Sequence, residues 1–223
     1  MDALADMARE RSGSNWWDEF RDSIASFMLD LVELEHHAVS LRHVQITHLP
    51  GLLQHEEYAR AVFGEAVPPL TSEAIDLQVD FRMRRRALLD RPDAPRCSFL
   101  LHEAALRMLF GDRAVVRLQL QELLKYSERD SVVLRVVPFT AGGFPSAGSS
   151  TMHASGPVRQ LDTVQIDVTT QVWFSGRHSP TGGVPGGSRG RRVRRPRVVQ
   201  HLAAYANAPQ GRINVDAAAS LSL

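Results

Sequence analysis

Apolar residues near the start of the chain recur at spacings of three and four, the period of one face of an α-helix. This stripe comprises Trp17, Phe20, Ile24, Phe27, Met28 and Leu31. Further along, Val44 and Ile46 alternate with polar residues, which is typical of a strand. We therefore predict one amphipathic helix over the first stripe and a change from helix to strand between residues 34 and 44.

The middle of the chain predicts four more helices, from the same period together with proline or glycine breaks and capping residues. They cover Gln54 to Val62, Thr71 or Ser72 to about Leu89, Glu103 to Phe110 closed by Gly111, and a segment that begins after Asp112.

Three further segments predict strands. Ser98 to Leu101 is a short apolar run, and Val164, Ile166 and Val168 alternate with polar residues. Ser131 to Val137 is rich in β-branched residues and apolar on both faces, which predicts a central, two-sided strand. Helices that come first and mix with strands later indicate an α+β domain, with mixed helices and a small β-sheet.

Charge is divided unevenly along the chain, although its formal net charge is only +1. Residues 1–174 hold 18 basic and 24 acidic residues, whereas residues 175–223 hold 8 basic and 1 acidic residue. Residues 175–196 contain nine Gly or Pro and six Arg. The few apolar side chains of this segment cannot offset the conformational entropy that would be lost on folding. We predict a disordered basic tail over residues 175–223.

Candidate catalytic and metal chemistry is weak. A histidine- and glutamate-rich segment could supply zinc ligands, but the adjacent His36 and His37 would point about 100° apart on a helix. Its members are Glu33, Glu35, His36, His37, His43, His48 and His55. The single cysteine, Cys97, begins an apolar strand, as an inert buried thiol does. We predict no catalytic residue, cofactor or metal site, and therefore no enzyme.

Five strings in the sequence occur in an order that resembles one actinobacterial family. They are LPGLLQHEEYARAVF (Leu49 to Phe63), FRMRRRALL (Phe81 to Leu89), LLHEAALRMLFG (Leu100 to Gly111), QLQELL (Gln119 to Leu124) and VVLRVVPF (Val132 to Phe139). The combination resembles the domain of unknown function that follows an XRE-type helix-turn-helix in Streptomyces transcriptional regulators of the WhiJ-like type. The sequence departs from the family at two histidines. His55 stands where the family usually has a capping Thr, so we expect this helix cap to be lost, and His102 stands where the family usually has Asp.

The resemblance covers residues 16–174 and implies a non-enzymatic sensor or partner-binding domain, with residues 1–15 as the remaining linker. The resemblance implies a small ligand or a companion regulatory protein as the partner, and it is compatible with a homodimer. DNA would be bound only through a helix-turn-helix, which we expect to be missing here. No segment approaches the ~18 consecutive apolar residues of a membrane helix, so we expect a cytoplasmic protein with no membrane contact.

Candidate ligand or partner contacts combine polar residues of the resembling strings: Gln54, Tyr58, Arg60, Arg82 and Glu103. A structural role is the alternative for each string. In that case Leu52, Leu53, Tyr58 and Val62 fill the core, and Arg82 with the run Arg84 to Arg86 forms a solvated helix face.

The basic tail supports a rival function, a nucleic-acid-binding arm that would contact phosphates. Its contacts would be Arg189, Arg191, Arg192, Arg194, Arg195 and Arg197. Alternatively, the tail results from a frameshift, because codons permitted for Ser175 to Gly190 can encode an amphipathic helix like that of the family when they are translated one base later. A metal-dependent hydrolase that uses the histidine-rich segment is a second rival.

Overall fold

The computed structural model describes residues 15–144 and 147–166, which contain one five-stranded sheet. Its strands are β1 (Ser40–Gln45), β2 (Arg96–His102), β3 (Val132–Val137), β4 (Thr151–Ser155) and β5 (Thr163–Ile166). Their order across the sheet is β3-β2-β1-β4-β5. The first three strands are parallel to one another, whereas β4 runs antiparallel to β1 and β5 antiparallel to β4.

Five α-helices lie within these described residues: α1 (Ser26–His36), α2 (Glu56–Gly64), α3 (Ser72–Arg86), α4 (Glu103–Arg107) and α5 (Arg113–Ser127). Short 3-10 turns cover Trp16–Phe20, Gly51–Leu53, Ala87–Asp90, Phe139–Ala141 and Arg159–Leu161. Parallel strands need a crossover connection, which α2 and α3 provide between β1 and β2, and α4 and α5 between β2 and β3. This architecture confirms the predicted α+β class with mixed helices and a small sheet.

Helix caps are retained even where the sequence suggested their loss. Thr71 and Asp112 each accept a hydrogen bond from the backbone N–H three residues later, at 3.2 and 2.9 Å, as predicted. The expected loss of the cap at His55 is wrong, because its Nδ1 accepts from the N–H two residues later at 3.2 Å. His102 caps α4 in the same way at 3.1 Å. An imidazole nitrogen can therefore do the work of a capping oxygen at both positions.

The first apolar stripe is not one helix. A 3-10 turn over Trp16–Phe20 is followed by a bend, and α1 begins only at Ser26. The turn and the bend still bury Trp17, Phe20 and Ile24, whereas Phe27 is 63% exposed. Helical spacing thus identified most of the buried side chains, but it carries no information on whether backbone hydrogen bonding is continuous between them.

The sheet differs from expectation in two strands, β3 and β4. β3 pairs only with β2 among the described strands, so its predicted central position is wrong. Apolar residues on both faces indicate that both faces are covered, and they do not fix the number of neighbouring strands. The sequence pattern also misses β4, a short and partly polar strand that follows a Gly/Ser/Pro-rich loop.

The hydrophobic core of the described residues consists of two clusters, and α1 contributes side chains to both. The larger lies at the sheet centre, where Leu41, Phe99 and Leu101 have no exposed surface. The smaller contains Trp17, Phe20, Ile24, Val32 and Phe81. Each such side chain contributes about 1.5–3 kcal/mol by leaving water. The smaller cluster therefore attaches the N-terminal segment to α3.

Some predictions fall outside the described residues: most of the linker over residues 1–15, the part of the expected strand at Val168, and the whole tail over residues 175–223. Within the residues that are described, no helix combines the length and the apolar character needed to cross a bilayer.

Candidate functional site

A cavity of about 320 Å³ lies against one face of the sheet, beneath α1 and α3. Its floor is a row of side chains across three strands, because His43 of β1 lies opposite Met152 of β4, which lies opposite Gln165 of β5. Gln45 lines the same cavity because residues two apart on a strand share a face. This volume is at the lower end of the range for small-molecule sites in proteins.

Two arginines of α3 reach the cavity, Arg82 and Arg85, and they differ in their partners. Arg85 forms a two-pronged ion pair with Glu35 of α1, in which Nε and Nη2 donate to the two carboxylate oxygens at 2.6 Å each. The side chains are only 8% and 1% exposed. A paired guanidinium and carboxylate satisfy each other's charge and hydrogen-bonding geometry, which permits their burial.

Arg82 has a neutral partner instead. Its Nη1 donates to Oε1 of Gln54 at 2.6 Å, and its guanidinium lies 4.2 Å from the ring centre of Phe63. Gln54 is itself fixed, because its side-chain nitrogen donates to the backbone oxygen of Leu49 at 2.7 Å. Burial, together with the nearby charge of Arg85, lowers the pKa of Arg82 to about 10. The half-buried cation thus forms no ion pair with any described residue.

The predicted solvated arginine face is wrong for most of its members. Arg85 is buried, Arg82 and Arg86 are half-buried, and Arg84 alone among the four is exposed. Arg86 forms an ion pair with Glu122 of α5 at 3.2 Å. The signal that was missed is spacing, since position 85 falls four residues after Phe81 on the apolar row of α3. A charged residue on an apolar row indicates a buried partner, not a solvated face.

Gly51 lets the backbone approach both guanidinium groups. A Cβ atom at this position would lie 3.4 Å from Nη1 of Arg85 and 3.5 Å from Nε of Arg82. A methyl group at this position would be in ordinary van der Waals contact with both arginines. The proline-glycine pair of the first string therefore shapes the cavity rim as well as breaking the chain.

His43 is a buried polar residue at the cavity floor. Its ring stacks on Phe99, with centres 4.8 Å apart, and its Nε2 has no hydrogen-bond partner among the described residues. Burial, and secondarily the charge of Arg85, lowers its pKa to about 3. The imidazole is therefore neutral at physiological pH, which permits its burial.

The other predicted contacts lie elsewhere. Tyr58 is in the core with 1% exposure, its hydroxyl has no partner in the described part of the chain, and burial raises the pKa of that hydroxyl. Arg60 pairs on the surface with Asp76. Glu103 accepts from Arg107 and from the backbone N–H of residue 139, which lowers the pKa of its carboxyl. The structure thus brings Gln54 and Arg82 together and leaves the remaining three apart.

A second cavity of about 370 Å³ lies on the other side of the buried ion pair. Glu35 and Arg85 line it together with Trp16, Trp17 and Arg91. Since Arg85 also lines the first cavity, the Glu35–Arg85 pair forms part of the wall between the two.

The described residues were compared with what a metal site or a reactive thiol requires. They contain no group of three or more His, Cys, Asp or Glu side chains that could hold a metal ion. Burial and, to a lesser extent, Glu35 raise the pKa of Cys97 to about 12, and its Sγ lies 3.4 Å from the backbone oxygen of Pro95. The six tail arginines proposed to contact nucleic acid, Arg189 to Arg197, lie outside the described residues.

Comparison with known proteins provides one match, to a family. No curated protein and no solved structure matches the chain. Residues 28–182, more than half of the chain, match the family described as Domain of unknown function (DUF5753). The matched region contains most of α1, the sheet and both arginines of the cavity, and the chain therefore belongs to this family.

Proposed function

We propose that this chain is a non-enzymatic regulatory domain that senses a small ligand and belongs to an XRE-type transcriptional regulator. The observation that supports sensing is the first cavity. It is ligand-sized and is lined by apolar and by polar or charged side chains in similar number, which include the fixed pair of Gln54 and Arg82. The resemblance of the five sequence strings to WhiJ-like regulators supports the connection to transcription.

The chemistry of the cavity supports binding over catalysis. Its two groups with shifted pKa values are His43 and Arg82, and burial is the main cause in both cases. A guanidinium that is held by a neutral amide is suited to hydrogen bonding with a ligand. The thiol of Cys97 is protonated at neutral pH, so it is a poor nucleophile.

The nucleotide sequence that adjoins the gene tests the connection to an XRE-type regulator. We expect an upstream stretch, in the same frame, that encodes a helix-turn-helix. Flanking DNA that encodes no such motif in any frame would remove the basis for the regulatory assignment.

Sensing is tested in that complete regulator by expression of a reporter from the promoter of its own gene. Gln45→Trp places an indole in the cavity from the half-buried end of β1, and we expect it to change reporter output. Leu118→Trp places the same group on the 40% exposed side of α5 and serves as the control. Equal output from both variants, with both proteins folded, would argue against a sensory role for the cavity.

A further inference from the structure

The charge balance of the first cavity is uneven. Three of the four clustered arginines of α3 have acidic partners: Arg84 pairs with Glu19 and Asp80, Arg85 with Glu35, and Arg86 with Glu122. Arg82 has the neutral amide of Gln54.

Removing a cation from water without a counter-charge is unfavourable, and its lowered pKa reflects that cost. An anion that entered the cavity would supply the missing charge. The acidic group of such an anion could also accept two parallel hydrogen bonds from one edge of the guanidinium.

One wall of the cavity is apolar. Phe27, Met28 and Leu31 of α1 line it, and Phe27 stands 63% exposed at the rim. A large exposed aromatic side chain beside a cavity offers surface to an apolar group that enters. The ligand therefore needs an apolar part as well as a charged one.

We infer that the cavity binds a small amphipathic anion, with its acidic group on Arg82 and its apolar part against Phe27, Met28 and Leu31. This inference rests on the proposed sensing function and specifies its ligand class. Carboxylates and phosphate monoesters share the required chemistry, so the experiment distinguishes them.

Isothermal titration with four probes of equal chain length tests the class: octanoate, octyl phosphate, octanol and octyltrimethylammonium. We expect octanoate or octyl phosphate to bind, octanol to bind roughly tenfold or more weakly, and the cation to show no binding, since a hydrogen bond to a charged group is worth about 1.5–3 kcal/mol. The stronger of the two anions identifies the acidic group. Equal binding of anion and alcohol, or preference for the cation, would overturn the inference.

Variants locate the site. Arg82→Met is expected to weaken binding of the anion roughly tenfold or more while binding of octanol is retained, which also shows that the variant is folded. Arg84→Met removes a neighbouring exposed arginine and should change neither affinity. Phe27→Ala, at an exposed position, should weaken both probes to a similar extent. Loss of anion binding in Arg84→Met, or its retention in Arg82→Met, would place the site elsewhere.

The two proposals fail separately. If the anion binds as expected but Gln45→Trp leaves reporter output unchanged, the ligand class is supported and the regulatory function is refuted. If no probe binds while Gln45→Trp changes reporter output, sensing stands and the anionic class is wrong.

Discussion

The buried ion pair between Glu35 and Arg85 provides the sharpest test of the packing described above. Both side chains are almost without exposed surface, and two hydrogen bonds of 2.6 Å join them. Replacing one partner leaves the other charge buried without compensation, which costs about 3–5 kcal/mol. Against a typical domain stability of about 5–15 kcal/mol, Glu35→Gln or Arg85→Met should be severely destabilising.

Replacing both partners should be much less harmful than either single change suggests. In Glu35→Leu with Arg85→Met, no charge remains buried, and apolar side chains of similar size contact the surrounding core. Such exchanges are often neutral or stabilising. We therefore expect the double variant to recover most of the stability lost in Arg85→Met, so that the two effects are strongly non-additive.

Urea unfolding at pH 7, followed by circular dichroism, measures these free energies. A matched control is the pair between Arg84 and Glu19, whose side chains are 44% and 53% exposed. Glu19→Gln should cost less than about 1 kcal/mol and its effect should shrink with added salt. The reasoning would be refuted if Glu35→Gln cost as little as Glu19→Gln, or if the two core substitutions were additive.

Three further outcomes are expected. The pKa of His43 is about 3 in the folded chain and 6.5 in the unfolded chain, so between these pH values only the unfolded state binds the proton. The free energy of unfolding therefore decreases by about 1.4 kcal/mol for each pH unit below about 6.5. Urea unfolding at pH 7 and pH 5 should accordingly show a loss about 2 kcal/mol larger for the wild type than for His43→Gln. His55→Ala should lower the free energy of unfolding by about 1 kcal/mol because it removes the cap of α2, whereas His55→Thr should be nearly neutral, again by urea unfolding; equal effects would contradict the capping role. Cys97 should react with dithiobis-nitrobenzoate at pH 8 only after unfolding, because burial raises its pKa to about 12, and rapid reaction of the folded chain would disprove the burial.

Periodicity predicted helices where one helix face meets the core. The position of α3 and its Thr71 cap follow from apolar spacing and one hydroxyl residue, both of which act locally. The order of the strands depends instead on contacts between distant segments. β3 is apolar on both faces and still lies at the edge of the described sheet, because face coverage and strand neighbours are independent properties.

The candidate site was predictable in part for the same reason. Gln54 and Arg82 stood out as polar residues in the resembling strings, and they form a contact of 2.6 Å. The Glu35–Arg85 pair was missed although each residue occupies an apolar row, Glu35 four residues after Leu31 and Arg85 four after Phe81. Spacing shows that such residues face inward. Only the three-dimensional structure shows that they face each other.

One turn of α3 connects the cavity to the N-terminal segment. Arg82 and Arg85 face the cavity, while Phe81, next to Arg82 in the chain, packs against the ring of Phe20, with centres 5.1 Å apart, and against Trp16 at 5.6 Å. The anion inferred above would therefore contact the same helical turn that holds this segment. Contact alone transmits nothing, because a ligand shifts an equilibrium only by its difference in affinity for two arrangements. Such a difference would arise if Arg82 were open to the cavity in one arrangement of the N-terminal segment and closed off from it in the other.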